Sequence, residues 1–202
     1  MRPVVVFDLG KVLVDFDYTI AANKIAARSR NHVESLHEFL SGSPLLVQLE
    51  SGLLTSRQFF SEVQKATGFT GGPEEFFDYF ADIFLPIPAM VELHAELRKR
   101  QVPTYILSNT NDIAVGHIRR KFPFFGNFDG YIFSYQVGAM KPDAKIYEAL
   151  ETLSGRRGAE IFYIDDRPEN VRAGAARGWQ IVLHETPDAT RAALQKFLSM
   201  RI

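Results

Sequence analysis

Four short segments carry the residues of this chain that could do chemistry together. Asp8 ends the apolar run Val4–Phe7, Ser108-Asn109 follow Thr104–Leu107, and Asp165-Asp166 follow Ile161–Ile164. Lys141, just before Pro142, comes shortly after Tyr131–Phe133. Ligands of open α/β sheets bind beyond the carboxyl ends of the strands. Three carboxylates, a hydroxyl with its neighbouring amide and one ammonium would therefore meet at one rim. Helix capping accounts for any single acid or hydroxyl at a strand end, but poorly for the arrival of all of them there. A carboxylate can attack phosphorus once a divalent cation screens it from the phosphate's negative charge. The count of cysteines is 0, so disulfides, thiolate metal sites and cysteine nucleophiles are excluded. His32, His37, His94, His117 and His184 show no metal-ligand spacing, and no Gly-rich phosphate loop is present.

The elements that must position these residues show in the texture of the sequence. Val4–Phe7, Thr104–Leu107, Tyr131–Phe133, Ile161–Ile164 and Gln180–Leu183 are continuous rather than alternating apolar runs, which suits strands of a parallel sheet covered on both faces. Helical periodicity fills the stretches between the last four, from about Asp112 to Lys121, Ala144 to Leu153 and Glu169 to Arg177. This alternation predicts an α/β fold with a Rossmann-like, doubly wound parallel sheet. The first gap is far longer than a crossover requires. It reads as helices without a convincing strand: one capped by Asp17 or Thr19, one over His32 to Leu40, one opened by Thr55-Ser56, and one from Pro73 that buries Phe76, Phe77, Phe80 and Phe84. A further helix, from about Pro88 to Arg100, leads back into the core. Residues 16–88 are accordingly expected to form a helical insert, with 1–15 and 89–202 as the α/β core, and the Phe-rich helices to form the insert's own core.

Composition limits the partners. The chain has 202 residues, room for one α/β domain and something extra, and 23 Lys+Arg against 24 Asp+Glu. No charge bias points to nucleic acid or an anionic membrane, and no secretory or membrane-spanning segment is read. The expectation is a soluble cytoplasmic protein, a monomer by default. The insert carries 5 Lys/Arg against 9 Asp/Glu, which leaves the core mildly positive and suited to an anionic substrate.

Asp8 in VVVFDLGKVLVD, Ser108 in YILSNT, Lys141 in GAMKPDAKIY and the acidic pair in FYIDDRPENVRAG resemble, in order, the four motifs of the haloacid dehalogenase (HAD) superfamily. The long helical stretch after the first motif resembles its small helical cap. FDLGKVLVDFD, LSNTN and IDDRPENV look most similar to a branch that includes glucose-1-phosphate phosphatases. The resemblance implies a Mg²⁺-dependent phosphatase acting on a small phosphorylated metabolite such as a sugar phosphate. Asp8 would be the nucleophile that forms an aspartyl-phosphate. Mg²⁺ would take Asp8, the carbonyl of Gly10 and Asp166, with Asp165 as a further ligand or just behind one. Ser108 and the amide of Asn109 would hold the phosphoryl oxygens, and Lys141 would neutralise nucleophile and phosphate. Asn170 would orient a ligand or simply face the first helical turn.

One position departs from that pattern. Phosphatases of the superfamily usually carry a second Asp two residues after the nucleophile, which protonates the leaving group; here Gly10 stands there, followed by Lys11. The branch commonly shows Gly at this place. Another group could supply the proton, or the leaving group could need less assistance; the alternative is an acid-deficient relative that only binds. Asp15 and Asp17 read as turn and capping residues, and Gly10→Asp is expected to raise turnover on poor leaving groups. A 2-haloacid dehalogenase also lacks the second Asp, but it has no use for Asp165-Asp166 beside its nucleophile, because unscreened carboxylates repel one another and the substrate. Specificity is expected in the insert and around Phe16 and Tyr18.

Overall fold

Each apolar run read from the sequence is a strand in the computed structural model, which describes residues 3–31 and 33–199. The strands are β1 (Val4–Phe7), β2 (Val14–Phe16), β3 (Phe84–Pro86), β4 (Thr104–Ser108), β5 (Gly130–Phe133), β6 (Ile161–Asp165) and β7 (Gln180–Leu183). Five of them form a parallel sheet in the order β5-β4-β1-β6-β7. The chain winds outwards from β1 through β4 to β5, then returns to the other side of β1 for β6 and β7. That reversal opens a crevice at the carboxyl end of β1. Alternate residues of β1 face opposite layers: Val5 and Phe7 enter one core cluster, Val4 and Val6 another. Covering on both faces does not extend to β7, where Gln180 and Ile181 are exposed because the strand lies at the sheet's edge.

Between β2 and β3 lie α1 (Tyr18–Ala26), α2 (Leu36–Ser41), α3 (Pro44–Glu50), α4 (Ser56–Thr67) and α5 (Pro73–Ala81). The core helices follow as α6 (Pro88–Lys99), α7 (Asp112–Lys121), α8 (Ser134–Val137), α9 (Ala144–Ser154), α10 (Pro168–Ala176) and α11 (Pro187–Ser199). Local chemistry sets the helix ends. Asp17 caps α1 by accepting the Thr19 N–H at 2.8 Å, and Thr55 with Gln58 forms a reciprocal capping box on α4. Proline occupies the first turn of α3, α5 and α6, where its missing N–H has no intrahelical partner to lose.

The insert packs around one hydrophobic cluster, which Ile113 of α7 joins from the core side. Phe59, Phe60, Phe69, Phe76 and Phe80 are buried in one cluster with Ile25, Leu40 and Leu49. Phe76 is fully buried and lies within ring-contact range of Phe59, Phe60, Phe69, Phe77 and Phe80.

Three expectations need correction. The insert does have strands: β2 and β3 pair antiparallel, Val14 with Pro86 and Phe16 with Phe84, as a ribbon at the two crossings between core and insert. Three-residue strands joined across the whole insert show no periodicity to read. Phe84 consequently sits in β3 rather than in the helix from Pro73, which ends at Ala81. The helix expected over His32 to Leu40 starts at Leu36, and His32 itself lies outside the described residues. Among the described residues no helix is long and apolar enough to cross a membrane.

Phe76→Ala should cost about 3–5 kcal/mol of stability, the range for removing a buried aromatic ring, read as a lowered urea midpoint at unchanged slope. A loss below about 1 kcal/mol would contradict this packing.

Candidate active site

The sheet reversal brings the motif residues together. Asp8 extends β1 by one step, its N–H donating to the Ile164 carbonyl at 2.8 Å. The chain then turns sharply: Leu13 and Val14 both donate to the Leu9 carbonyl, and Lys11 takes a left-handed φ of 58°. Ser108 ends β4 and Asp165 ends β6, the two strands that flank β1.

Lys141 is the hub of the site. Its ammonium is buried and lies 2.9 Å from Asp8, 2.6 Å from Asp165 and 2.9 Å from the Leu107 carbonyl. All three of its protons are thereby engaged. Burial works against the charge of Lys141, but the two carboxylates outweigh it and hold its pKa above the ordinary value. Asp8 is pushed up to about 7, mainly by burial and further by Asp165, against the pull of Lys141. Desolvation exceeds the attraction of a single ammonium here because that ammonium is divided between two acids.

The acidic pair divides its labour. Asp165 is fully buried with both oxygens engaged: Oδ1 accepts from Arg167 N–H at 2.8 Å and Asn170 Nδ2 at 3.0 Å, while Oδ2 accepts from Lys141 and the Tyr163 hydroxyl. Asp166 is half-buried and lines the cavity, its pKa raised by burial and by Asp165. One oxygen from each of Asp8, Asp165 and Asp166 lies within 4.8 Å of the others. Of these three acids, Asp8 and Asp166 are therefore the two that face the cavity with oxygen lone pairs to spare. Asn170 binds Asp165 rather than facing outwards alone, and it also lines the cavity.

Asn109 has a task its motif did not disclose. Its side chain clamps the backbone of Lys141 from both sides, Oδ1 accepting the Lys141 N–H at 2.7 Å and Nδ2 donating to the Lys141 carbonyl at 3.0 Å. That leaves its own backbone N–H for an anion. Ser108 is buried at the wall of a smaller adjoining cavity, where its hydroxyl makes only a long contact with the Asn109 carbonyl.

The cavity above these groups has a volume of about 250 Å³. Its floor holds Asp8, Gly10, Asn109, Lys141 and Asp166; the insert side contributes Ser41, Leu46 and Glu50; Lys11, Phe16, Tyr18, Met140, Arg167 and Asn170 line the rest. Phe16 and Tyr18 stand where specificity was expected. Glu50, Met140 and Arg167 were not anticipated. Nothing in QLESGLL says which face of the insert turns towards the core, so Glu50 becomes visible only with the fold. Asp15 and Asp17 do not line this cavity: Asp15 pairs with Lys11, and Asp17 caps α1.

Known proteins resemble this chain in sequence and in fold. Residues 3–178 match the haloacid dehalogenase-like hydrolase family. Among curated relatives, the chain is 24% identical to acyl-CoA dehydrogenase family member 10 of Mus musculus over 96% of its own length and 19% of that protein's. It is 32% identical to a sesquiterpene phosphatase of Aspergillus oryzae over 50% of this chain and 51% of that one. It is 22% identical to the D-ribitol-5-phosphate phosphatase of Bacteroides thetaiotaomicron over 87% and 88%. The chain thus spans about a fifth and about half of the first two relatives. Among solved structures, a predicted HAD-like family hydrolase of Porphyromonas gingivalis superposes with a TM-score of 0.79 at 25% identity, covering 95% of this chain and 98% of that one. A HAD family enzyme of B. thetaiotaomicron, in complex with magnesium and inorganic phosphate, gives 0.79 at 22% identity over 90% and 93%.

The electrostatics give a signed expectation. Asp8 rises on folding from an ordinary 3.8 to about 7, so between those values the folded chain binds more protons than the unfolded one and stability falls as pH rises. In metal-free buffer, the melting temperature of Asp8→Asn relative to the unsubstituted protein should climb between about pH 4 and 7 and level off above. A difference that stays flat across that window contradicts the assignment.

Proposed function

The chain belongs to the haloacid dehalogenase-like hydrolases, and on that footing we propose that it is a magnesium-dependent phosphatase of a small phosphorylated metabolite, with Asp8 as nucleophile. The observation that carries the reading is the sharing of Lys141 between Asp8 and Asp165 at the floor of a cavity that Asp166 also faces. This arrangement holds an attacking carboxylate, a fixed positive charge and a spare acid within reach of one small anion.

The donors suit the metal. Asp8 and Asp166 offer carboxylate oxygens, Gly10 lines the same cavity, and the cluster of possible ligands found among the described residues is carboxylates alone. An oxygen-only set that leaves room for water is what Mg²⁺ prefers. Asp8 and Asp166, with the Gly10 carbonyl, would hold it, and Asp165 would support them through Lys141. When bound, the ion supplies charge screening between carboxylate and phosphate.

The chain's own residues do the rest. Asp8 attacks phosphorus to give an aspartyl-phosphate, which water then hydrolyses. Lys141 neutralises charge on the phosphoryl oxygens as they develop it. The Ser108 hydroxyl and the Asn109 N–H hold those oxygens at the start of the loop into α7. Residues 16–88, as the cap, close over the leaving group and exclude water.

A sugar or polyol phosphate is the substrate class we favour, for an enzyme of the branch that includes glucose-1-phosphate phosphatases. The cavity is small and mixes Lys11, Asn109 and Arg167 with two aromatic walls, Phe16 and Tyr18. A relative named for D-ribitol 5-phosphate supports the same class. Asp166 argues against a dehalogenase, which would have to bring its substrate's carboxylate up to this cavity-facing acid with no cation between them.

The test is release of inorganic phosphate from p-nitrophenyl phosphate and a panel of sugar phosphates. Activity should require Mg²⁺, vanish with chelator, fall below detection in Asp8→Asn and drop about 10²–10³-fold in Lys141→Met, the scale of losing one charge-stabilising group. Turnover that survives chelation or Asp8→Asn, or no metal-dependent turnover at all, would overturn the reading.

A further inference from the structure

The proton donor missing at Gly10 has a physical reason for not being there. A Cβ on Gly10 would lie 2.8 Å from Cε1 of Phe16, closer than real Cβ contacts come. The Phe16 ring is itself held by Tyr18, Phe84 and the Lys11 ammonium, at centroid distances of 5.8, 5.9 and 4.6 Å. An aromatic ring thus fills the place an aspartate would take. In Gly10→Asp the Phe16 ring would have to shift before the new side chain could act.

The carboxyl groups that line the cavity are those of Asp8, Asp166 and Glu50. Asp8 would attack and Asp166 would hold the metal, which leaves one acid without a task. Glu50 closes α3 of the insert and lines both the main cavity and the adjoining one, beside Gly10, Phe16, Tyr18 and Asn109. Its carboxyl group has no hydrogen-bond or ion-pair partner among the described residues, unlike Asp165 below it. We propose that Glu50 is the general acid and base of the reaction, delivered from the insert to stand in for the acid that Phe16 displaces. This rests on the phosphatase reading and deepens it.

The backbone holds Glu50 in place. The Ser134 hydroxyl accepts the Thr110 N–H at 2.9 Å and lies within hydrogen-bond distance of the Glu50 and Thr110 carbonyls. One hydroxyl therefore ties the end of α3 to the loop that carries Ser108 and Asn109. Gly52, at φ +74°, lets the turn after Glu50 press against the Tyr135 carbonyl, where any side chain would collide. Burial and the charge of Asp8 push the Glu50 carboxyl up to about 7, against Arg167 and Lys141. Near neutral pH it therefore has a proton to give and can take one back.

The chemistry balances. An oxygen of ionised Asp8 bonds to phosphorus as the bond to the leaving oxygen breaks; that oxygen keeps the electron pair and takes the Glu50 proton. The alcohol leaves, with aspartyl-phosphate and ionised Glu50 behind. Water then bonds to phosphorus while Glu50 takes one of its protons, and the electron pair of the breaking bond returns to Asp8. Phosphate departs with both acids restored.

A leaving-group series separates this role from a structural one. The unsubstituted protein, Glu50→Gln and Asp8→Asn would be compared by kcat/KM, which reports formation of the aspartyl-phosphate, on 2,4-dinitrophenyl, p-nitrophenyl, phenyl and alkyl phosphates. Glu50→Gln should lose about 10²–10³-fold on alkyl phosphates, within the range for a placed acid, and less than tenfold on dinitrophenyl phosphate, whose departure needs no proton. An equal loss across the series, or none, overturns the assignment while leaving the Asp8 chemistry intact. Activity that persists in Asp8→Asn overturns both.

Discussion

One buried ammonium holds this site together. Lys141 sits out of water between two carboxylates and a backbone carbonyl, and none of its protons is spare. Such an arrangement tolerates little error, because removing one partner from a buried charge pair costs about 3–5 kcal/mol. Much of the surrounding structure serves to fix it. Asn109 clamps its backbone from both sides, Tyr163 and Asn170 complete the hydrogen bonds of Asp165, and the sheet order sets Asp8 between the strands that carry Ser108 and Asp165. The same hub leaves Asp8 only partly compensated. A divalent cation entering the cavity therefore meets negative charge that the protein has left to be matched.

The division between Asp165 and Asp166 follows from this arrangement. Adjacent residues at the end of a strand point to opposite sides, so one acid turns into the core towards Lys141 and the other towards the cavity. The sequence pair DD announces an acidic site but cannot say which member is sealed in; four hydrogen-bond donors around Asp165 decide it.

What could be read before the structure, and what could not, divides along the range of the interactions. The parallel strands and the helices between them are local, written in continuous apolar runs and in caps such as Asp17 and Thr55. Asp8, Ser108, Lys141 and Asp165-Asp166 were legible because each follows a strand or a loop in a fixed order. The ribbon of β2 and β3 was hidden, since its three-residue strands find one another only across the folded insert. Glu50 was hidden for the same reason: which end of α3 meets the core depends on Ser134 and Gly52, far apart in sequence and joined only by packing. Even the absence of an acid at Gly10 gained its meaning from the ring of Phe16, which occupies the space.

The claim beneath all of this is that phosphorus is transferred to Asp8. Acid quench of the protein during turnover of a slow phosphate monoester, followed by peptide mass spectrometry, reads that transfer directly. The phosphoryl group should appear on the peptide that contains Asp8, and the Asp8→Asn protein should carry none. Phosphate released in steady turnover with that peptide unmodified, or a phosphoryl group found on another residue, would contradict it.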